Sequence, residues 1–309
     1  MSRSLSHAFL LLTAFIWGIT FVFQTTGMET LGPFGFSAFR FLVGSIAILP
    51  IALWEMRKVN LWTLSTIENA QISIKERRNI FWGTIILGVI MFIGSALQQV
   101  SLGITSVANT AFLTTLYVPL VPILGFVLFS KNIGKWRWFA VGIFVVGSWM
   151  MSGVSPDEAV IGDIMVVIGA VFWAFHIMLV GWLAQHTKAP FQLAFMQTVI
   201  TAVLSFIVLF MVETFTIADV MAVMPEILFA GVMSTGLGFT LQLVAQQHCS
   251  NAAAAILLSL EGVIAAFAGW VLLDQAMVAI AIMGAALIFI AVLVVELTPE
   301  GPQHQSESS

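Results

Sequence analysis

The chain has 309 residues, 60% of them hydrophobic and 8% charged, with a net charge of −4. Soluble domains carry about a quarter charged residues, so a soluble enzyme or binding module is excluded; the small net charge says little about partners, and no nucleic acid is expected among them. The single cysteine, Cys249, excludes an intrachain disulfide and any cysteine-based metal site.

Apolar runs of the roughly 20 residues needed to cross a ~30 Å hydrocarbon core recur along nearly the whole sequence. Polar and Pro/Gly punctuation divides them into ten predicted helices near 7–25, 34–54, 80–99, 104–129, 136–153, 163–184, 191–211, 225–246, 252–272 and 276–296. No ~10-residue alternating segments of the kind that build membrane barrels occur. The first run, "HAFLLLTAFIWGITFVFQT", exceeds a signal-peptide core and no small-residue cleavage site follows it, so it reads as the first span. The segment 55–79 mixes both charge signs and is expected to be a solvated cytoplasmic loop. The tail 297–309, "LTPEGPQHQSESS", has the composition of a disordered cytoplasmic segment.

Numbering the connections from an inside N-terminus sorts the basic residues. Arg3, Arg57, Lys58, Lys75, Arg77, Arg78, Lys131, Lys135, Arg137 and Lys188 fall on one side and none on the other; Arg40 alone lies within a span. The positive-inside rule makes that side the cytoplasm, with both termini there. The opposite connections carry Glu29, Asp157, Glu158, Asp163, Glu213, Asp219, Glu226 and Asp274.

The two halves resemble each other. "AFIWGIT" (14–20) aligns with "AVFWAFH" (170–176), matching Trp17 to Trp173 and Thr20 to His176. "PFGFSAFR" (33–40) aligns with "PFQLAFMQ" (190–197), matching Arg40 to Gln197; "GSALQ" (94–98) aligns with "GFTLQ" (238–242). Further on, Ala108 matches Ala252, Tyr117 matches Glu261 and Gly125 matches Gly269. With five helices per half, the second half enters the membrane from the opposite side. The expected architecture is an all-α polytopic membrane protein of two inverted five-helix repeats, 1–154 and 155–296. Transporters built this way place their site near the midplane, where the repeats meet.

The pattern resembles the EamA branch of the drug/metabolite transporter superfamily. The stretches that carry the resemblance are "AFIWGITFVF", "AFRFLVGSIAIL", "LQQVSLGITSVANTAFLTTLYVPLVPILGFVL" and "LLSLEGVIAAFAGWVLLDQ". The chain departs from the family pattern at Gly262, where proline is usual, at Leu273-Asp274, where Gly-Glu is usual, and at Ser130-Lys131, where an acidic residue is usual. The resemblance implies transport of small metabolites or drugs, often outward, by alternating access.

Candidate functional residues are polar groups at membrane depth. Glu261 lies about halfway along the ninth span, and a carboxylate there costs several kcal/mol unless compensated. It reads as a proton-coupling or gating carboxyl, as a partner for a cationic substrate, or as a structural hydrogen-bonding group. Arg40 is expected to snorkel outward, to pair with Glu261 or to meet an anionic substrate group. Trp17, Thr20 and Gln24 share one face of the first span; Thr110, Thr114 and Tyr117 share one face of the fourth; Trp173 and His176 are the counterparts on the sixth. With Gln98 and Gln242 they have the composition of a small-molecule cavity. Gly262, Ala266 and Gly269 form a small-residue stripe for close helix contact.

No enzyme signature and no cofactor motif appears: the histidines at 7, 176, 186, 248 and 304 lack metal spacing, and no phosphate-cradling glycine loop occurs. Without nucleotide chemistry, transport is passive or coupled to an ion gradient, protons included. The leading expectation is an exporter of a small organic metabolite, with amino acids in view. Its rivals are a multidrug or lipophilic-cation exporter and a non-transporting receptor or scaffold.

Overall fold

The computed structural model describes residues 1–60, 65–66, 74–130, 134–151, 160–275 and 279–297. In hydrocarbon every backbone N–H and C=O must find its partner within the protein, which restricts lipid-embedded chain to helices or closed barrels. The described chain is helical apart from a two-residue antiparallel pair, β1 (Val59–Asn60) with β2 (Ser65–Thr66). That pair lies in the segment expected to be a loop. Lys131, Asp157, Glu158 and the 298–309 part of the tail fall outside the described residues.

The helix α1 (Arg3–Met56) covers the first two predicted spans without a loop. At about 1.5 Å per residue, 54 residues would reach roughly 80 Å, well over twice the hydrocarbon thickness. The chain turns at Gly32, whose φ of 73° and ψ of 168° are open to glycine and strained for other residues. Pro33 then starts the second limb, where its missing N–H and fixed φ suit a first helical residue. After α2 (Ile74–Leu102) come α3 (Val107–Thr114) and α4 (Tyr117–Phe129), then α5 (Lys135–Met151), α6 (Val160–Thr187) and α7 (Pro190–Val212). Two short helices, α8 (Ile217–Ala222) and α9 (Met224–Leu228), lead into a π-helical segment, Phe229–Gly238, and α10 (Phe239–Gln246). The chain continues with α11 (Asn251–Leu258), α12 (Leu260–Leu273) and α13 (Ala279–Leu297).

Two spans expected to be continuous are broken. The hydroxyl of Thr115 donates to the Phe112 carbonyl at 2.7 Å between α3 and α4, and that of Ser259 donates to the Ile256 carbonyl at 2.6 Å between α11 and α12. A hydroxyl that bonds back onto its own turn competes with the backbone ladder and bends the helix. Both broken spans begin alike: Ser106 and Ser250 cap α3 and α11 by accepting from the backbone N–H three residues on. The eighth predicted span also departs from a regular helix, through the π segment.

The helices meet in pairs that join the front and back halves of the chain. α1 lies against α7 and the π segment, α2 against α6, and α5 against α13. Glycine sets the closest approaches. A Cβ on Gly231 would lie 2.6 Å from Val43 Cγ1 and 3.0 Å from the Arg40 carbonyl oxygen, and a Cβ on Gly44 would overlap Thr235. A Cβ on Gly262 would lie 3.3 Å from Thr115 Cγ2, whereas one on Gly269 would meet Gln275 Oε1 first, at 3.0 Å, and Val107 Cβ at 3.6 Å.

This geometry separates tolerant glycines from intolerant ones. Gly231→Ala should lower the unfolding midpoint in detergent by the ~1–3 kcal/mol typical of overpacking. Gly142→Ala has no atom within 4 Å of its new methyl and should be neutral or stabilising. Equal thermal stability in the two purified variants would contradict the close helix contact at Gly231.

Candidate functional site

A small, partly open cavity lies within the helix assembly. Its walls come from α1, α2, α3, α4, α6, the π segment, α10 and α12.

Tyr117 and Glu261 begin, or nearly begin, the helices that follow the two breaks, and they meet: the Tyr117 hydroxyl donates to Glu261 Oε1 at 2.9 Å. Both side chains are almost fully enclosed and both border the cavity. Glu261 forms no ion pair with any described residue.

The indole of Trp17 donates to the Ser234 carbonyl at 3.2 Å, so the π segment provides the acceptor. Its ring lies over Gly238, where a Cβ would come within 2.5 Å of Trp17 Nε1. Trp173 lies over Gly94 in the same way, at 3.3–3.4 Å from a Cβ placed there. Phe239 sits between the two tryptophans, with ring centroids 4.7 Å from Trp17 and 6.2 Å from Trp173, stacked on the latter at 12°. His176 completes the cluster edge-on to Phe239 at 5.8 Å, and its Nε2 lies 2.9 Å from Gln197 Oε1.

Several buried polar groups without hydrogen-bond partners border the cavity. Arg40 is 4% exposed, borders the cavity and forms no ion pair with a described residue; its guanidinium lies 4.6 Å from the Phe41 ring. Gln242 is fully enclosed with neither amide atom bonded, and Trp173 Nε1, His176 Nδ1 and Gln24 Oε1 are likewise unpaired. A buried polar group left alone costs about 1–3 kcal/mol, so this arrangement is suited to a polar ligand. Gln98 differs, since its amide donates to Thr114 Oγ1 at 2.9 Å and both residues line the wall.

Of the residues singled out by sequence, Thr20 and Thr110 do not border the cavity. Thr20 bonds back to the Ile16 carbonyl at 2.6 Å, which turns its hydroxyl into its own helix, and Thr110 is fully enclosed. Arg40 neither snorkels outward nor pairs with Glu261. Phe21, Ile177, Ser234 and Phe239 line the cavity without having been singled out. Ser234 enters through its place in the π segment, which has no sequence periodicity of its own. Phe239 follows the glycine that matches Gly94, and that signal was legible. Among the described residues no cluster of His, Cys, Asp or Glu is placed to hold a metal ion.

The model of the EamA-like transporter family matches residues 4–153 and 160–297. A protein called an uncharacterized transporter in Archaeoglobus fulgidus is 28% identical over 290 residues, covering 93% of this chain and 84% of that one. An uncharacterized transporter of Bacillus subtilis, YwfM, is 24% identical over 178 residues, 55% of this chain and 53% of its own length. A solved crystal structure superimposes with a TM-score of 0.72 over 96% of this chain and 98% of the other at 16% identity, a likeness of fold. With matches across nearly the whole chain and a cavity bordered by buried polar side chains among apolar helices, the chain belongs to the EamA-like transporter family and is a multi-pass membrane transporter of a small molecule.

Proposed function

We propose that the chain is a secondary exporter of a small zwitterionic metabolite of the amino-acid kind, working by alternating access without nucleotide hydrolysis. The observation that carries this reading is a guanidinium and a carboxyl at one cavity: Arg40 and Glu261 both border it, and neither forms an ion pair with a described residue. Arg40 suits a carboxylate, with planar N–H geometry, and Glu261 suits an ammonium. The aromatic surfaces of Trp17, Trp173 and Phe239 suit an apolar side chain. Those rings also favour a second reading, export of a lipophilic cation, against which the repulsion of Arg40 weighs.

The architecture we propose has ten membrane passes. They are the two limbs of α1, then α2, α3–α4, α5, α6, α7, α9–α10, α11–α12 and α13, in two inverted repeats, 1–154 and 155–296. Reciprocal contacts support the repeat. Trp17 of the first half lies over Gly238 of the second, and Trp173 of the second lies over Gly94 of the first. The breaks at Thr115 and Ser259 and the caps at Ser106 and Ser250 stand at matched positions. Both termini are proposed to be cytoplasmic, in the inner membrane, on the ten-to-none split of loop lysines and arginines.

Purified protein in liposomes separates the two substrate readings. Counterflow of radiolabelled phenylalanine is expected, and Arg40→Gln should reduce it about tenfold or more, since removing one partner of a charged hydrogen bond costs ~1.5–3 kcal/mol. Tetraphenylphosphonium flux that persists or rises in Arg40→Gln, with no phenylalanine flux in the parent, would select the cation reading. Flux of neither, nor of any metabolite in a panel, would defeat both.

Glu261 is proposed to couple or gate transport. Glu261→Gln should abolish the response of flux to an imposed pH gradient while leaving the unfolding midpoint near that of the parent. Glu261→Leu strands the Tyr117 hydroxyl and should cost about 1–3 kcal/mol of stability. Flux and stability unchanged in both variants would remove Glu261 from the mechanism.

For topology, cysteines replacing Glu29 or Asp157 in a Cys249→Ala background should react with an impermeant thiol reagent added to intact cells. Those replacing Arg77 or Lys135 should stay protected until the cells are opened. The opposite labelling would reverse the orientation.

A further inference from the structure

The second limb of α1, residues 33–56, and α7 lie side by side, and each ends on a glutamate that reaches the start of the other. Glu213, which follows α7, accepts from the backbone N–H of Phe34 at 3.0 Å and of Gly35 at 2.8 Å. Glu55, in the last turn of the limb, accepts from the backbone N–H of Gln192 at 2.9 Å and from its side-chain amide at 3.4 Å. The end of each helix therefore meets the beginning of the other, and the pair is antiparallel with one clasp at each end.

The sequence is built for both clasps. Each helix starts Pro-Phe, at Pro33-Phe34 and Pro190-Phe191. Proline at the first position leaves the next N–H groups unused by the helix, and these orphan donors carry the positive end of the helix dipole. Carboxylates bonded there form charge-assisted hydrogen bonds, stronger than neutral ones. Gly32 clears the way for one of them, since a Cβ there would lie 2.9 Å from the Glu213 carboxyl carbon. Midway between the clasps, the Ser45 hydroxyl donates to Thr198 Oγ1 at 3.1 Å.

These two helices carry a matched pair of site residues. Arg40 and Gln197 each follow their helix's proline by seven residues. Arg40 lines the cavity, and Gln197 holds the ring of His176, which also lines it. A single clasp would let one helix pivot or slide along the other; clasps at both ends fix axial register and tilt together.

We propose that Glu55 and Glu213 are positioning residues for the cavity. They lock residues 33–56 and α7 into one rigid unit, and so hold Arg40 and Gln197 at fixed depth and rotation while other helices move. This rests on the cavity being the transport site. A lock at one membrane face alone would have to open and close with that face, whereas a lock present at both ends belongs to the part that stays still.

The test needs no transported substrate. In a Cys249→Ala background, Arg40→Cys reports on the clasped unit and Thr114→Cys reports on the cavity wall outside it. The second-order rate of each with a small water-soluble methanethiosulfonate is measured on purified protein in detergent, together with its unfolding midpoint. Adding Glu213→Ala or Glu55→Ala should change the rate at position 40 by about tenfold, the scale of a lost charge-assisted bond, and leave that at 114 essentially unchanged. Glu213→Gln keeps one acceptor oxygen but loses the charge and meets the second N–H with an amide NH2, so its rate should fall between those of the parent and the alanine variant. Glu213→Asp and Glu55→Asp, with shorter reach, replace the alanine variants if those do not fold. A lowered midpoint with an unchanged rate at position 40 would make the clasps structural and overturn the proposal. Equal changes at 40 and 114 would mean general loosening and would also overturn it. A parent in which 114 reacts and 40 does not would place Arg40 off the cavity and defeat it as well. If neither cysteine reacts in the parent, the cavity reading itself fails, and the proposal fails with it.

Discussion

A polar side chain inside a bilayer has no water to turn to, and the structure follows from how this chain answers that constraint. Arg40, Glu261, Gln242 and His176 come from four separate stretches of sequence, yet all four border one enclosed space. Hydrocarbon offers each of them nothing on its outer side, so the helices must rotate until these groups face inward. The surface left behind is apolar, as the exposed Phe126, Val127, Phe210 and Trp149 illustrate. Such residues would mark an aggregation-prone patch on a soluble protein; here they are the face presented to lipid.

Enclosure requires close helix contact, and close contact in lipid depends on small residues because no hydrophobic drive brings helices together there. Gly238 admits the indole of Trp17, and Gly94 admits that of Trp173. Each glycine does more than shorten a distance. It makes room for an aromatic ring against a helix backbone, and both rings border the cavity. Phe239 then closes the gap between the two indoles. Aromatic walls and polar groups thus share one origin: the helices approach closely enough to seal the space and stop short of collapsing it.

Much of this was legible in the sequence. Composition and run length point to membrane helices, and the alignment of "AFIWGIT" with "AVFWAFH" pairs the two tryptophans that the structure brings onto one aromatic cluster. Polar residues on apolar helices could be named in advance because each is conspicuous against its surroundings. Details of backbone were harder to read. The turn at Gly32 replaces an expected loop, since one glycine with positive φ reverses the chain with no residues to spare. Thr20 has the spacing of a wall residue, yet a threonine hydroxyl can bond its own helix, and spacing does not say which it will do. The π segment, which holds three glycines and lies against α1, is invisible to periodicity because no pattern of apolar residues marks it.

The breaks at Thr115 and Ser259 link these points. A hydroxyl that bonds three residues back costs little at a surface, and in lipid it frees backbone groups that must be enclosed by protein. Such a break is therefore tolerated only where the helix faces a cavity or another helix, and that is where both occur. Each comes two residues before a polar side chain, Tyr117 in one case and Glu261 in the other, and the two side chains bond to each other at 2.9 Å. Both breaks thus stand beside the Tyr117 hydroxyl and the Glu261 carboxyl at the cavity. The cost of burying that carboxyl is offset at the same point where the helix is interrupted.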